Sequence, residues 1–167
     1  MPSLDSLSHE FPDGALDVVE QTLLAADWAC ERSEESMIHC AAMTKWGEFG
    51  GMFVWRSEPA SLNFSLTLDL RAPNAKQSAI SELLRCINER LWLGHFDYWN
   101  TEGVAVFRHT IPMLDRLAPD PGEIAAVLAA ALDAADQFLP AFNFVVWAGK
   151  SAQEAVAAVV FETAGEA

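Results

Sequence analysis

The side chains able to do chemistry are few in this sequence and poorly grouped. His39 and Cys40 are adjacent, and adjacent residues of an extended segment point to opposite faces, so the two cannot chelate an ion together. His95 and Asp97 alternate and therefore share a strand face, and His109 lies across the hairpin that follows them. Such a trio could suit zinc, but cross-strand hydrogen bonding accounts for the same residues, and the expectation is that neither a metal nor a cofactor is bound. The run Gly47-Glu48-Phe49-Gly50-Gly51 lacks the lysine and the strand-to-helix setting of a phosphate loop. No Gly-x-Ser-x-Gly elbow occurs. Cys30, Cys40 and Cys86 form an odd set without Cys-x-x-Cys spacing, each beside apolar neighbours, which describes buried reduced thiols. Nothing here assembles into a catalytic constellation, and the chain reads as a non-enzyme.

Recognition is the other chemistry available. Asp97 and Arg108 are the best charged pair: with a four-residue loop between their strands, Asp97 faces Val106 and is diagonal to Arg108 on the same side. The pair reads either as a staple across the hairpin or as a site that takes a carboxylate-bearing partner through Arg108. Trp92, Tyr98 and Trp99 lie close by, and they cannot easily all face inward because Trp92 is out of register with the Leu84, Ile87 and Leu91 stripe. Exposed aromatics of this kind anchor protein interfaces. The candidate interaction residues are therefore Trp92, Asp97, Tyr98, Trp99 and Arg108.

Charge narrows the partner. The formal net charge is -14, and it sits at the two ends: residues 1–36 hold nine acids and one base, and residues 117–167 hold seven acids and one base. Residues 37–116 hold eight of each. That field repels nucleic acid backbones and anionic lipid and suits a basic protein partner. No uninterrupted apolar run approaches the ~20 residues that span a bilayer, and the N-terminal stretch has neither a basic nor an apolar region of a signal peptide. With the reduced cysteines, these features place the protein in the cytoplasm. The length of 167 residues and the 51% hydrophobic content suit one domain over 1–167, with 1–13 as a flexible tail.

The elements that must position these residues are legible from periodicity. Leu16, Val19 and Leu23 make one stripe of a helix from about Gly14 to Ala26. The following stretch from Asp27 to Ser36 reads as a connector. Met37–Lys45, apolar on both faces, is a strand covered on both sides or central in the sheet; the glycines of 46–51 are a turn, and Met52–Arg56 is a second strand. Leu62, Phe64, Leu66, Leu68 and Leu70 alternate with polar residues in a third, half-wet strand. A helix follows with Ile80, Leu83, Leu84, Ile87 and Leu91 on one side, begun by a capping box from Asn74 to Gln77 and closed by Gly94. Next comes a hairpin, His95–Trp99 and Val104–Thr110, around Asn-Thr-Glu-Gly. Asp120, Pro121 and Glu123 open a long apolar helix that Pro140 should kink, and Ser151 with Glu154 caps a last helix to about Phe161. The fold class is α+β: an antiparallel sheet, made of a three-strand meander plus a hairpin, packed by helices in the order α-β-β-β-α-β-β-α.

Residues 84–110, LRCINERLWLGHFDYWNTEGVAVFRHT, resemble the YbjN-like family of bacterial sensory transduction regulators. LDVVE at 16–20 followed by Trp28 and Glu31-Arg32, and PAFNFVVWAGKSAQEAV at 140–156, look like its other blocks in the same order. The resemblance implies a fold similar to class I type III secretion chaperones, which are small, acidic and usually dimeric, bind extended segments of other proteins and have no catalytic residues. The reading is a regulatory or chaperone-like protein-binding module, a homodimer with a protein partner. The alternative is a small-molecule-sensing domain with a pocket between sheet and C-terminal helix, which a buried polar cluster around His39, His95 or Arg108 would mark.

Overall fold

A strand that alternates apolar and polar side chains can bury only one face, and the strand from Leu62 to Leu70 sets the architecture by that rule. Its five alternate apolar side chains are buried, while Asn63, Ser65 and Thr67 remain half-exposed and Asp69 exposed. The computed structural model describes residues 13–165. They form α1 (Asp13–Ala25), β1 (Ala29–Glu34), β2 (Met37–Thr44), β3 (Gly47–Ser57), β4 (Ala60–Arg71), α2 (Gln77–Asn88), β5 (His95–Trp99), β6 (Val104–Pro112), α3 (Pro121–Val146) and α4 (Ala152–Gly165). The expected tail falls outside the described residues, apart from Asp13 at the start of α1.

The six strands make one antiparallel sheet in the order β1-β2-β3-β4-β6-β5. The helices lie on the side to which β4 turns its leucines: α1 packs on β1 and β2, α3 crosses β2, β4 and β6, α2 meets β5, and α4 rests on α2 and α3. The other side has no helix over it among the described residues. The α+β class, the antiparallel sheet and the hairpin are as the sequence indicates, and the meander has one strand more than expected. Ala29–Glu34 is not a connector but the edge strand β1, disguised by its charges. Arg32 turns toward α1, where it pairs with Asp17 and, at 3.1 Å, with Glu20. An inward charge of this kind is one way an edge strand avoids pairing with another chain.

Other local expectations shift for physical reasons. Gly50 and Gly51 are not in a turn but within β3, opposite Ala41 and Cys40, because the β2–β3 turn is only two residues long. A Cβ on Gly51 would stand 2.6 Å from the Ser65 carbonyl oxygen, so the close approach of β3 and β4 needs glycine there. Of the two settings expected for β2 it has the second: it lies inside the sheet between β1 and β3, while exposed His39 and Met43 leave it covered on one face only. Asn74 does not cap α2: Asn74–Lys76 is a short 3-10 turn without a side-chain cap bond, and the helix begins at Gln77. Gly94 does not close α2 either. It lies beyond the helix in the connection to β5, with φ +70°, and a Cβ there would stand 2.3 Å from Cζ of Phe107.

Helix α3 is long and apolar enough, by length and composition, to cross a membrane. Thirteen of its residues are buried against its neighbours, the pattern of a core helix. Pro140 has no N–H, so the Asp136 carbonyl loses its usual i+4 partner. The indole N–H of Trp46, on the β2–β3 turn, donates to that carbonyl at 2.9 Å, and the Lys45 N–H donates to the Asp136 carboxylate, also at 2.9 Å. At the start of the helix, Glu123 accepts from the Asp120 N–H at 2.9 Å and takes Arg116 in a two-pronged pair. Ser151 and Glu154 exchange side-chain-to-backbone bonds of 3.1 and 3.2 Å, the expected cap of α4.

Two outcomes follow from these contacts. Gly94→Ala combines a left-handed backbone with a clash on Phe107, so it should cost roughly 2–4 kcal/mol in urea denaturation. The Arg116 hydrogen bond holds the Glu123 carboxyl below the usual carboxylate range, with a smaller contribution from the Asp120 N–H. A folded-state pKa below the unfolded one stabilises above the unfolded value, ~4.3, and the gain is lost as pH falls through the folded value. The stability difference between wild type and Glu123→Gln should therefore be present at neutral pH and shrink in acid, which denaturant melts at both ends of that window measure.

Candidate interaction surfaces

The hairpin carries four of the candidate residues and splits them between two faces. Asp97 pairs with Val106 and His95 with Arg108, the register of a four-residue loop through Asn100 to Gly103, whose φ is +69°. Arg108 Nη1 reaches Asp97 Oδ2 at 3.1 Å on the open face, as the spacing indicates. The Arg108 guanidinium also stands 6.0 Å from the centre of the Trp99 ring. Tyr98, one residue along, turns to the opposite side: it is half-buried, its hydroxyl accepts from the Ala72 N–H at 3.3 Å, and it packs on the core. Trp92 is apart from all of them. It is 77% exposed on the connection between α2 and β5, beside the helices.

The hairpin is held in place by Asn88 at the end of α2. The Phe96 N–H donates to Asn88 Oδ1 at 2.7 Å, and Asn88 Nδ2 donates to the Phe96 carbonyl at 3.0 Å. The Tyr98 N–H, next along the same edge, donates to Asp97 Oδ1 at 2.9 Å. These bonds occupy backbone groups that a bare edge strand would offer to another chain. On the sheet's other margin Cys30 and Cys40 are directly paired across β1 and β2. Burial, with a smaller push from Cys30, raises the Cys40 thiol to about 12, so it stays protonated and unreactive at neutral pH.

The histidines do not form a cluster. His39 and His95 are exposed, and so is Arg108. His109 shares a row with Phe64, on the side opposite His95 and Asp97. Burial, and secondarily His95, lowers its pKa, so the ring is neutral at pH 7. The described residues hold no buried polar cluster at these positions, and Ser61 is the buried polar residue among them.

The outward side of α3 was not singled out by the sequence. Two adjoining depressions, of about 410 and 400 Å³, share Asp133 and Gln137. Trp46, Pro140 and Val159 wall the first, with Asp136 and Glu162; Trp92, Phe138 and Val160 wall the second. Phe161, next to Val160, is 84% exposed. The signal lay in Val159-Val160-Phe161: three consecutive apolar residues cannot all face the core from one helix.

A six-stranded antiparallel sheet covered by helices on one side defines a small α+β fold. The chain belongs to the YbjN family, described as "Putative bacterial sensory transduction regulator", whose sequence profile matches residues 15–144. A chain in the crystal structure of the ExsC-ExsE complex is similar over 72% of this chain and 86% of its own, with 15% sequence identity and a TM-score of 0.49. No curated protein matches the sequence.

The side chains of Asp97 and Arg108 are 41% and 44% exposed, such pairs are worth ~0–1 kcal/mol, and Asp97 satisfies one backbone group besides, the Tyr98 N–H. The Asn88 latch instead satisfies two backbone groups, whose loss costs roughly 1–3 kcal/mol. Asn88→Ala should therefore destabilise the protein more than Asp97→Ala in parallel denaturant titrations.

Proposed function

We propose that the protein is a non-enzymatic regulatory or chaperone-like module that binds a segment of a protein partner in the double depression along α3. The observation that carries this reading is the pair of exposed tryptophans, Trp46 and Trp92, one on the wall of each depression. Indole rings held at the margin of a concave surface are efficient anchors, because much apolar area is removed from water at low entropic cost. Asp133, Asp136 and Glu162 outnumber Lys45 and Arg90 in the lining and, with the net charge of the helical ends, favour a basic, amphipathic segment over nucleic acid or anionic lipid. Membership of a family described by regulation supports the role. The proposal takes the protein as a cytoplasmic homodimer, in keeping with its cysteine usage and with the class of chaperone that the sequence resembles.

A photo-crosslinking residue at Trp92 or Val160, introduced in bacterial cells, should yield a discrete adduct with another protein. The adduct should weaken when Asp133→Asn and Asp136→Asn are combined. The same residue at Thr101, in the hairpin turn, should yield none. Absence of an adduct from both α3-side positions, or equal adducts from all three, would overturn the reading.

A further inference from the structure

The open face of the sheet holds a separate depression of about 150 Å³. Its floor is the row Val54, Asn63 and Thr110, three residues paired across β3, β4 and β6. Arg56 stands one pair along in one direction, opposite Ser61, and Arg108 one pair along in the other, opposite Ser65. Two same-face steps of ~7 Å along the strands and two strand spacings of ~4.8 Å across them separate the two arginines, and both residues line the depression, from opposite ends. Trp99 closes its side.

The chemistry of the lining is one-signed. On a chain with 24 acidic and 10 basic residues, no carboxylate lines this depression. Asp97, outside the lining, engages Nη1 of Arg108, and a guanidinium carries five donors. Arg56 has no ion pair among the described residues. The Asn63 side-chain oxygen, which would repel an anion, already accepts from the Thr110 hydroxyl at 2.8 Å. What remains is a set of cationic forks beside an indole ring and a valine.

We propose that this depression binds a carboxylate attached to an apolar or aromatic group: Arg56 and Arg108 hold the carboxylate, and Trp99 and Val54 take the apolar body. The ligand is either a free organic acid or the C-terminal carboxylate of a peptide, which present the same chemistry. The site faces away from the α3 depressions and does not rest on the protein-binding reading.

The probes are benzoate, N-acetylphenylalanine and, as the uncharged isostere, benzamide, titrated into the full chain while amide and indole resonances are followed by NMR. Saturable shifts centred on Val54, Asn63, Thr110 and the Trp99 indole are expected for the acids. Benzamide should bind about tenfold more weakly or not measurably. Tighter binding of benzoate assigns the site to free acids, and tighter binding of N-acetylphenylalanine to peptide termini. Arg56→Gln breaks no ion pair and should weaken binding about tenfold, while Arg90→Gln, beside Trp92, should leave it unchanged. Equal affinity for benzamide, shifts centred elsewhere, no saturable shift, or insensitivity to Arg56→Gln would overturn the assignment.

Discussion

Phe107 stands where the two parts of the sheet meet. Its backbone pairs with Leu66 on one side and Phe96 on the other, and its ring meets Phe64 and Phe96 edge-on, with centroids 6.4 and 5.7 Å away. Phe96 in turn meets Phe142 of α3 at 5.7 Å, and Phe64 leads through Phe53 and Trp28 toward β1. The meander, the hairpin and the long helix are therefore packed through one continuous set of rings. Edge-to-face pairs add a directional preference to area burial, so this set orients the elements as well as filling space. Gly94 is the other side of the same constraint, since the Phe107 ring occupies the place of its missing Cβ.

From that packing follows the division of labour between the two sides. The helices that cover the ring cluster come largely from the acidic ends of the chain, while most of the sheet comes from the balanced middle. The helical side thus meets solvent as a negative surface with tryptophans set into it, and the open side of the sheet is mixed in charge. Proteins approaching from the two directions experience different fields, and long-range attraction of a basic partner acts mainly on the first.

Sequence periodicity reveals this architecture where one neighbour decides the outcome. The leucines of β4, the register of the hairpin and the cap at Ser151 depend on contacts within one strand, one turn or one helical end, and each is legible. Arg32 shows why β1 is not: its charge belongs inside only because Asp17 and Glu20 of α1 are there to meet it. Gly51 likewise reads as a turn glycine until Ser65 is known to approach it. The candidate site residues divide in the same way. The Asp97–Arg108 pairing follows from loop length, but Tyr98 and Trp99 part company because a strand alternates, and Arg56 joins Arg108 only through two intervening pairings.

Trp46 and Pro140 make the long helix an unusually non-local object. In an ordinary helix each interior carbonyl is satisfied by an N–H four residues on, so cohesion is a property of the segment itself. Here one link in that ladder is supplied by an indole 90 residues distant in sequence. The middle of α3 and the β2–β3 turn consequently form one cooperative unit. Fraying of the turn leaves a carbonyl of the helix unpaired, and loosening of the helix frees the indole, so the two should lose protection against hydrogen exchange together.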